Sequence, residues 1–80
     1  MTREEIEQKI TVFFIETLEF DASLIKSDAS LKNDIGISSL DAVELRMFIN
    51  NTFGWQPTRD DMLTVVTLND LFTIVEQHIN

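Results

Sequence analysis

Asp34-Ile35-Gly36-Ile37-Ser38-Ser39-Leu40-Asp41-Ala42-Val43-Glu44-Leu45 is the stretch that decides how this chain folds. It describes a loop that tightens through a glycine, offers two serines and then runs into a helix. Gly36 takes backbone angles that other residues resist, which suits the turn before a helix start. Ser38 is a favourable N-cap, and Asp41 three residues later completes an arrangement like a capping box. With Ser38 as the cap, Ser39 falls on the first helical residue and its hydroxyl is directed outward. The positive end of the helix dipole and free N–H groups lie beside it, a favourable place for an attached phosphate.

The helix that starts here is expected to run from about Ser39 to Phe53, ended by Gly54 as a C-terminal cap. At about 100° per residue, Ala42, Leu45, Ile49 and Phe53 form one apolar stripe. Leu40, Val43 and Met47 form another, almost opposite, and a small bundle can bury only one of the two fully. Val43 and Met47 either tuck under a neighbouring segment or form an exposed apolar patch edged by Asp41 and Glu44.

Before this helix, Thr2-Arg3-Glu4-Glu5 is a capping box, and its glutamates suit the positive end of a helix. Ile6, Ile10, Phe13, Phe14 and Leu18 then recur at helical spacing, giving a first helix of roughly four to five turns. Glu5, Glu16 and Glu19 form its solvated side. From Glu19 to Ser38 no clear period exists. A connection that long needs anchoring, and Leu24, Ile25, Leu31 and Ile35, with Phe20, are the apolar pins available. After Gly54, Trp55-Gln56-Pro57-Thr58 reads as a connection. Asp60-Asp61-Met62-Leu63 reads as one short helical turn held by Met62 and Val65. Thr67-Leu68-Asn69-Asp70 resembles another capping box, and Leu68, Leu71, Phe72, Val75 and Ile79 mark a last helix of about three turns. The expected fold is all-α. It is a small four-helix bundle of three main helices and one short one, with a long loop between the first and second and an aromatic-rich core.

Eighty residues make one domain, 1–80, with one modest core. The formal charge of −8 argues against nucleic acid or an anionic membrane as partner and favours basic protein surfaces. No run is long or apolar enough to span a bilayer, and Met-Thr-Arg-Glu-Glu is not a secretory signal, so a soluble cytoplasmic protein is the expectation. Without cysteine there is no disulfide framework or thiolate metal site. Asp21, Asp28 and Asp34 do not match a calcium-binding loop, which needs tighter acidic spacing and a terminal glutamate. No metal is expected. Nucleophilic catalysis is not expected either. A reactive serine needs a base in reach, and the only histidine, His78, sits near the chain end as a surface residue close to a helix C-terminus. Asp60 and Asp61 point in different directions on a helix and read as a solvated face. Taken without further context, Ser39 is more often a simple exposed first-turn residue than a modification site.

From Asp34 to Leu45 the chain resembles the acyl carrier protein family, whose pattern is close to Asp-Leu-Gly-x-Asp-Ser-Leu-Asp-x-Val-Glu-Leu. Gly-x-x-Ser-Leu alone is common by chance, but the longer match is specific. It extends to Asp28-Ala29-Ser30-Leu31 before it and Phe53-Gly54 after it, nearly the whole chain. The resemblance implies a carrier and not an enzyme. It implies that Ser39 receives 4′-phosphopantetheine from coenzyme A through a phosphopantetheinyl transferase. The arm's thiol then holds an acyl group, which a chain without cysteine cannot do by itself. The family shelters such a group between its helices and has a long first connection. The family's recognition helix favours the exposed reading of the second stripe. Leu40, Asp41, Val43, Glu44 and Met47 are thus the expected contacts for acyl-processing enzymes such as ketosynthases and acyltransferases, with the carrier itself a free-standing monomer.

Three features depart from the pattern. The aspartate before the modified serine is Ser38 here, about as good a cap but uncharged. Some peptidyl and polyketide carriers lack it too. The acidic cluster late in the second helix is Asn50-Asn51-Thr52, and Arg46 adds a positive charge. Its stem is expected along the core edge with its guanidinium in solvent. Together these weaken the acidic field that ordinary fatty-acid enzymes use. Two alternatives stay open: an aminoacyl or peptidyl carrier using the same serine, and an unmodified acidic interaction protein that keeps only the fold.

Overall fold

Capped ends set the element boundaries. The computed structural model describes residues 1–80 and contains α1 (Arg3–Val12), α2 (Ser39–Phe53), α3 (Arg59–Leu63) and α4 (Leu68–Ile79). Thr2, Ser38, Thr58 and Thr67 each cap a helix through a reciprocal box with Glu5, Asp41, Asp61 and Asp70. Three of these boxes follow the sequence expectation. The one at Thr58 does not. Asp61, expected as a solvated residue, accepts a hydrogen bond from the Thr58 backbone N–H at 2.8 Å and closes the start of α3.

α1 passes without a break into a π-helical segment, Phe13–Thr17, in which the Leu18 N–H donates to the Phe13 carbonyl at 3.1 Å. Both adjacent rings, Phe13 and Phe14, are buried there. The segment ends through Glu19 at φ 61, and the Phe20 N–H reaches back to the Phe14 carbonyl at 3.0 Å. The core takes Ile6, Ile10, Phe13 and Phe14 from the first helical segment, Leu45 and Ile49 from α2, and Leu68, Leu71, Phe72 and Val75 from α4. α3 adds no fully buried side chain, only Met62 packed against the cluster.

The long connection is held differently from the expectation. Leu31 and Ile35 are buried and Ile25 and Phe20 pack against the core, but Leu24 is exposed and pins nothing. It ends a single 3-10 turn, Ala22–Leu24, that stands out from the bundle. Ala29 takes its place as a buried anchor. The backbone does the rest. Ser30 and Thr67 form an antiparallel bridge. Around it the Leu31 N–H donates to Val66 (2.9 Å) and the Leu68 N–H to Ala29 (3.0 Å). Apolar periodicity does not show such a short ladder.

Arg3 ties the two ends of the chain together. Its guanidinium bonds Glu7 at 2.8 Å, Glu76 at 3.1 Å, Thr73 at 3.2 Å and Asn69 at 2.8 Å, and lies over the Phe72 ring. It joins α1 to α4, which pack against each other.

Candidate functional site: the start of α2 and its two flanks

The turn Leu31–Ile35 delivers the chain to α2. Gly36, at φ 85, ends it, and the N–H groups of Gly36 and Ile37 both donate to the Leu31 carbonyl at 2.9 Å. Ile37 packs partly against the core and fixes where the next residue sits. Ser38 then caps: its Oγ accepts from the Asp41 N–H at 3.1 Å, and Asp41 Oδ2 accepts from the Ser38 N–H at 2.9 Å. Ser39 is the first helical residue, exposed, with its hydroxyl outside this box. The N–H groups of Ser39 and Leu40 precede the first intrahelical bond, which runs from Ala42 to the Ser38 carbonyl. An exposed oxygen beside unpaired N–H donors at a helix start suits a phosphodiester.

Leu40, Val43 and Met47 stand in solvent at 66%, 48% and 56% exposure. The alternative in which Val43 and Met47 tuck under a neighbour is therefore excluded. Asp41 and Glu44 border the patch, Glu44 exposed and Asp41 half-buried in its cap. On the opposite stripe Leu45 and Ile49 are buried, with Ala42 and Phe53 at the margin. The helix is split between core and solvent along its two stripes, the exposed one being that which the family resemblance favours.

Arg46 adds a contact to the expectation. It is half-buried, and its Nε donates to the Pro57 carbonyl at 2.9 Å. The guanidinium straps α2 to the connection before α3 and keeps its charge, since its partner is neutral. Pro57 itself is fully buried. On the other side of this connection, Trp55 stacks on His78 at 3.9 Å and 8°. His78 is exposed, as expected, but held between that ring and the Ile74 carbonyl, 2.9 Å from its Nδ1.

Further features escaped the sequence reading. Phe48, between the two stripes, stacks on Phe13 with ring centroids 4.2 Å apart. Leu63 and Val66 are exposed apolar residues near α3, where only Met62 and Val65 had been singled out. A Thr-x-x-Asp signal at 58–61 marks the missed cap. The carboxyls of Asp61 and Asp70 are held below the usual 3.8, Asp61 by the Thr58 backbone N–H and Asp70 by those of Thr67 and Val66. No three acidic or histidine side chains converge to hold a metal ion.

A family model described as the C-terminal ACP domain of the highly reducing polyketide synthase sdgA matches residues 1–80. The chain belongs to the acyl carrier protein family. An acyl carrier protein of Lactobacillus johnsonii is 34% identical over 80 residues, all of both chains. One of Prochlorococcus marinus is 33% identical over 76 residues, 95% of each chain. One of Porphyromonas gingivalis is 31% identical over 75 residues, 94% of this chain and 96% of its own. An acyl carrier protein is a carrier and not a catalyst. No helix here is long and apolar enough to cross a membrane.

Proposed function

We propose that residues 1–80 form one carrier domain that is modified on Ser39 with 4′-phosphopantetheine and carries acyl groups as thioesters in the cytoplasm. The observation that carries this reading is the position of Ser39: first residue of α2, exposed, its hydroxyl left out of the capping box that Ser38 and Asp41 complete. A phosphopantetheinyl transferase joins Ser39 Oγ to the β-phosphorus of coenzyme A, and adenosine 3′,5′-bisphosphate leaves. The thiol of the arm supplies the acyl-bearing group that a chain without cysteine lacks.

Partner enzymes, ketosynthases and acyltransferases among them, grip the patch of Leu40, Val43 and Met47 with Asp41 and Glu44 at its edge. Exposed apolar side chains edged by charge fit a transient interface. With Asn50 and Asn51 neutral and Arg46 engaged at Pro57, the acidic field along α2 is confined to its first half. Encounter with enzymes that seek a densely acidic helix is slowed. This weakens cross-talk with housekeeping fatty-acid synthesis and reserves the carrier for a dedicated fatty-acid, polyketide or related pathway served by its own enzymes. Intact mass after incubation with coenzyme A and a broad-specificity transferase tests the reading. A gain of one phosphopantetheine supports it, and an unchanged mass beside a control carrier that is modified refutes it.

A further inference from the structure

Sulfur in this chain is confined to three methionines, since it has no cysteine. They sit in unlike surroundings. Met62, in α3, is half-buried and packs against the core cluster. Met1 is 48% exposed at the chain end, ahead of α1 and outside the bundle's patches. Met47 is 56% exposed in the middle of α2, on a helix that Leu45 and Ile49 hold to the core.

Met47 is also where two apolar surfaces meet. With Leu40 and Val43 it makes the exposed strip that begins beside Ser39. Toward α1 it lines an open groove of about 400 Å³ whose floor is the Phe13–Phe48 stack, with Val12 beside it and Lys9 and Glu44 at the rim. Small solutes therefore reach its side chain from the outer face of α2 and from the groove. Leu40 and Val43 are hydrocarbon and inert, whereas a thioether is converted by two-electron oxidants to a polar, chiral sulfoxide that reductases restore. A net charge of −8 disfavours the approach of anionic oxidants and leaves a neutral peroxide unhindered.

Resting on the reading of the Leu40–Val43–Met47 strip as a docking surface, we propose that Met47 is a site of reversible oxidation by hydrogen peroxide, and that its sulfoxide shuts the strip to partner enzymes until it is reduced. A lone pair of Met47 Sδ attacks one peroxide oxygen and the O–O bond breaks. Sulfur loses two electrons, and the second oxygen leaves as hydroxide, which takes the proton of the transferred oxygen and becomes water. A dithiol reductase reverses the change: two thiols become a disulfide and the sulfoxide oxygen leaves as water. The fold is not disturbed, because the new S–O dipole stays in solvent. Docking is, because a partner that covers the strip must desolvate that dipole and pair it or leave it unpaired.

The test uses the full chain, treated with hydrogen peroxide and then with catalase. Peptide mapping should show Met47 oxidised severalfold faster than Met62, with the amide spectrum of the folded protein retained. On a hydrophobic-interaction column the oxidised protein should elute earlier, and methionine sulfoxide reductases of both epimer classes with dithiothreitol should restore its retention. With coenzyme A and a broad-specificity phosphopantetheinyl transferase, oxidation should raise the carrier's KM by about fivefold or more with kcat little changed. Whatever the KM of Met47→Leu, peroxide should leave that value where it was. Met62 oxidised as fast as Met47, an unchanged retention, or a KM indifferent to oxidation would each overturn the proposal. If the unoxidised chain neither gains the arm nor binds the transferase, the docking reading fails, while fast oxidation of Met47 with the retention shift still supports the oxidation site.

Discussion

Besides its packing on α4, α2 makes two unlike contacts at its flanks. Toward the connection that precedes α3 the contact is directional: Arg46 Nε on the Pro57 carbonyl at 2.9 Å, and in the same connection Trp55 lies flat on His78 of α4. Toward α1 it is the stack of Phe13 on Phe48, with a groove open beyond it. A hydrogen bond to a backbone carbonyl fixes distance and angle, and so closes the gap between two segments. A stacked ring pair fixes two faces and leaves their edges free to line a surface. One helix thus has a closed side, an open side and, at its start, a serine held out of its own cap.

The open side rests on its floor. Phe13→Ala should cost roughly 3 kcal/mol, the lower part of the range for a buried phenylalanine. An 80-residue domain has little more than that in reserve. Chemical denaturation measures it. A loss under 1 kcal/mol would mean that Phe48 collapses onto α1 and that the groove has no fixed floor.

The closed side should respond less and elsewhere. Arg46→Met keeps the stem and removes the donor, at about 1–2 kcal/mol for a part-buried charged hydrogen bond. The effect should be local: faster amide exchange at 55–58 and a changed Trp55 emission, with the Phe13–Phe48 contacts intact. Equal change on both flanks would dissolve the distinction between the seams.

Beyond the groove, the first helical segment ends through Glu19 at φ 61, a conformation that an L side chain adopts at a cost. Glycine adopts it freely. Glu19→Gly should raise stability by up to about 1 kcal/mol, read as a higher melting temperature. A loss would show that the Glu19 side chain contributes more than its backbone strain removes.

The smallest expected effect is in acid. Asp61 and Asp70 cap α3 and α4, and their folded pKa values lie below 3.8. A lowered folded pKa stabilises above the unfolded value, and that stability is lost as pH falls through the folded one. Below about pH 4, amide protection near Thr58 and Thr67 should fall, and Asp70→Asn should flatten that dependence. Relief of repulsion among fourteen acidic and six basic residues acts the other way. If protection rises as pH drops, self-repulsion outweighs the caps.

Much of α2 was legible because its limits are local. Ser38 and Gly54 bound it, and the angular offset of Leu40, Val43 and Met47 from Leu45 and Ile49 shows that only one stripe can be buried, while the family resemblance favours which one stays wet. The π-helical segment was not legible, because a shift from i+4 to i+5 bonding leaves no compositional mark at Phe13–Thr17. Arg3 and Arg46 carry no mark of their partners in the sequence. Their partners are Glu76, Asn69 and a proline carbonyl, placed beside them only by the tertiary fold. Leu24 misled for a related reason, since an apolar residue in an aperiodic stretch carries no face, and the connection is held by backbone bonds at Ser30 and Thr67. Ser39 itself owes its prominence to the twelve-residue pattern around it more than to any property of a serine.

Whether the serine held out of the cap is the one modified is settled most directly by comparing Ser39→Ala with Ser38→Ala under transferase and coenzyme A, with fragmentation mapping of the wild-type product. The account predicts that Ser39→Ala folds and gains no mass. Ser38→Ala, losing about 1 kcal/mol of capping, should gain the same mass as wild type, and the wild-type arm should map to Ser39. An arm mapped to Ser38, or a Ser39→Ala protein that is still modified, would contradict it.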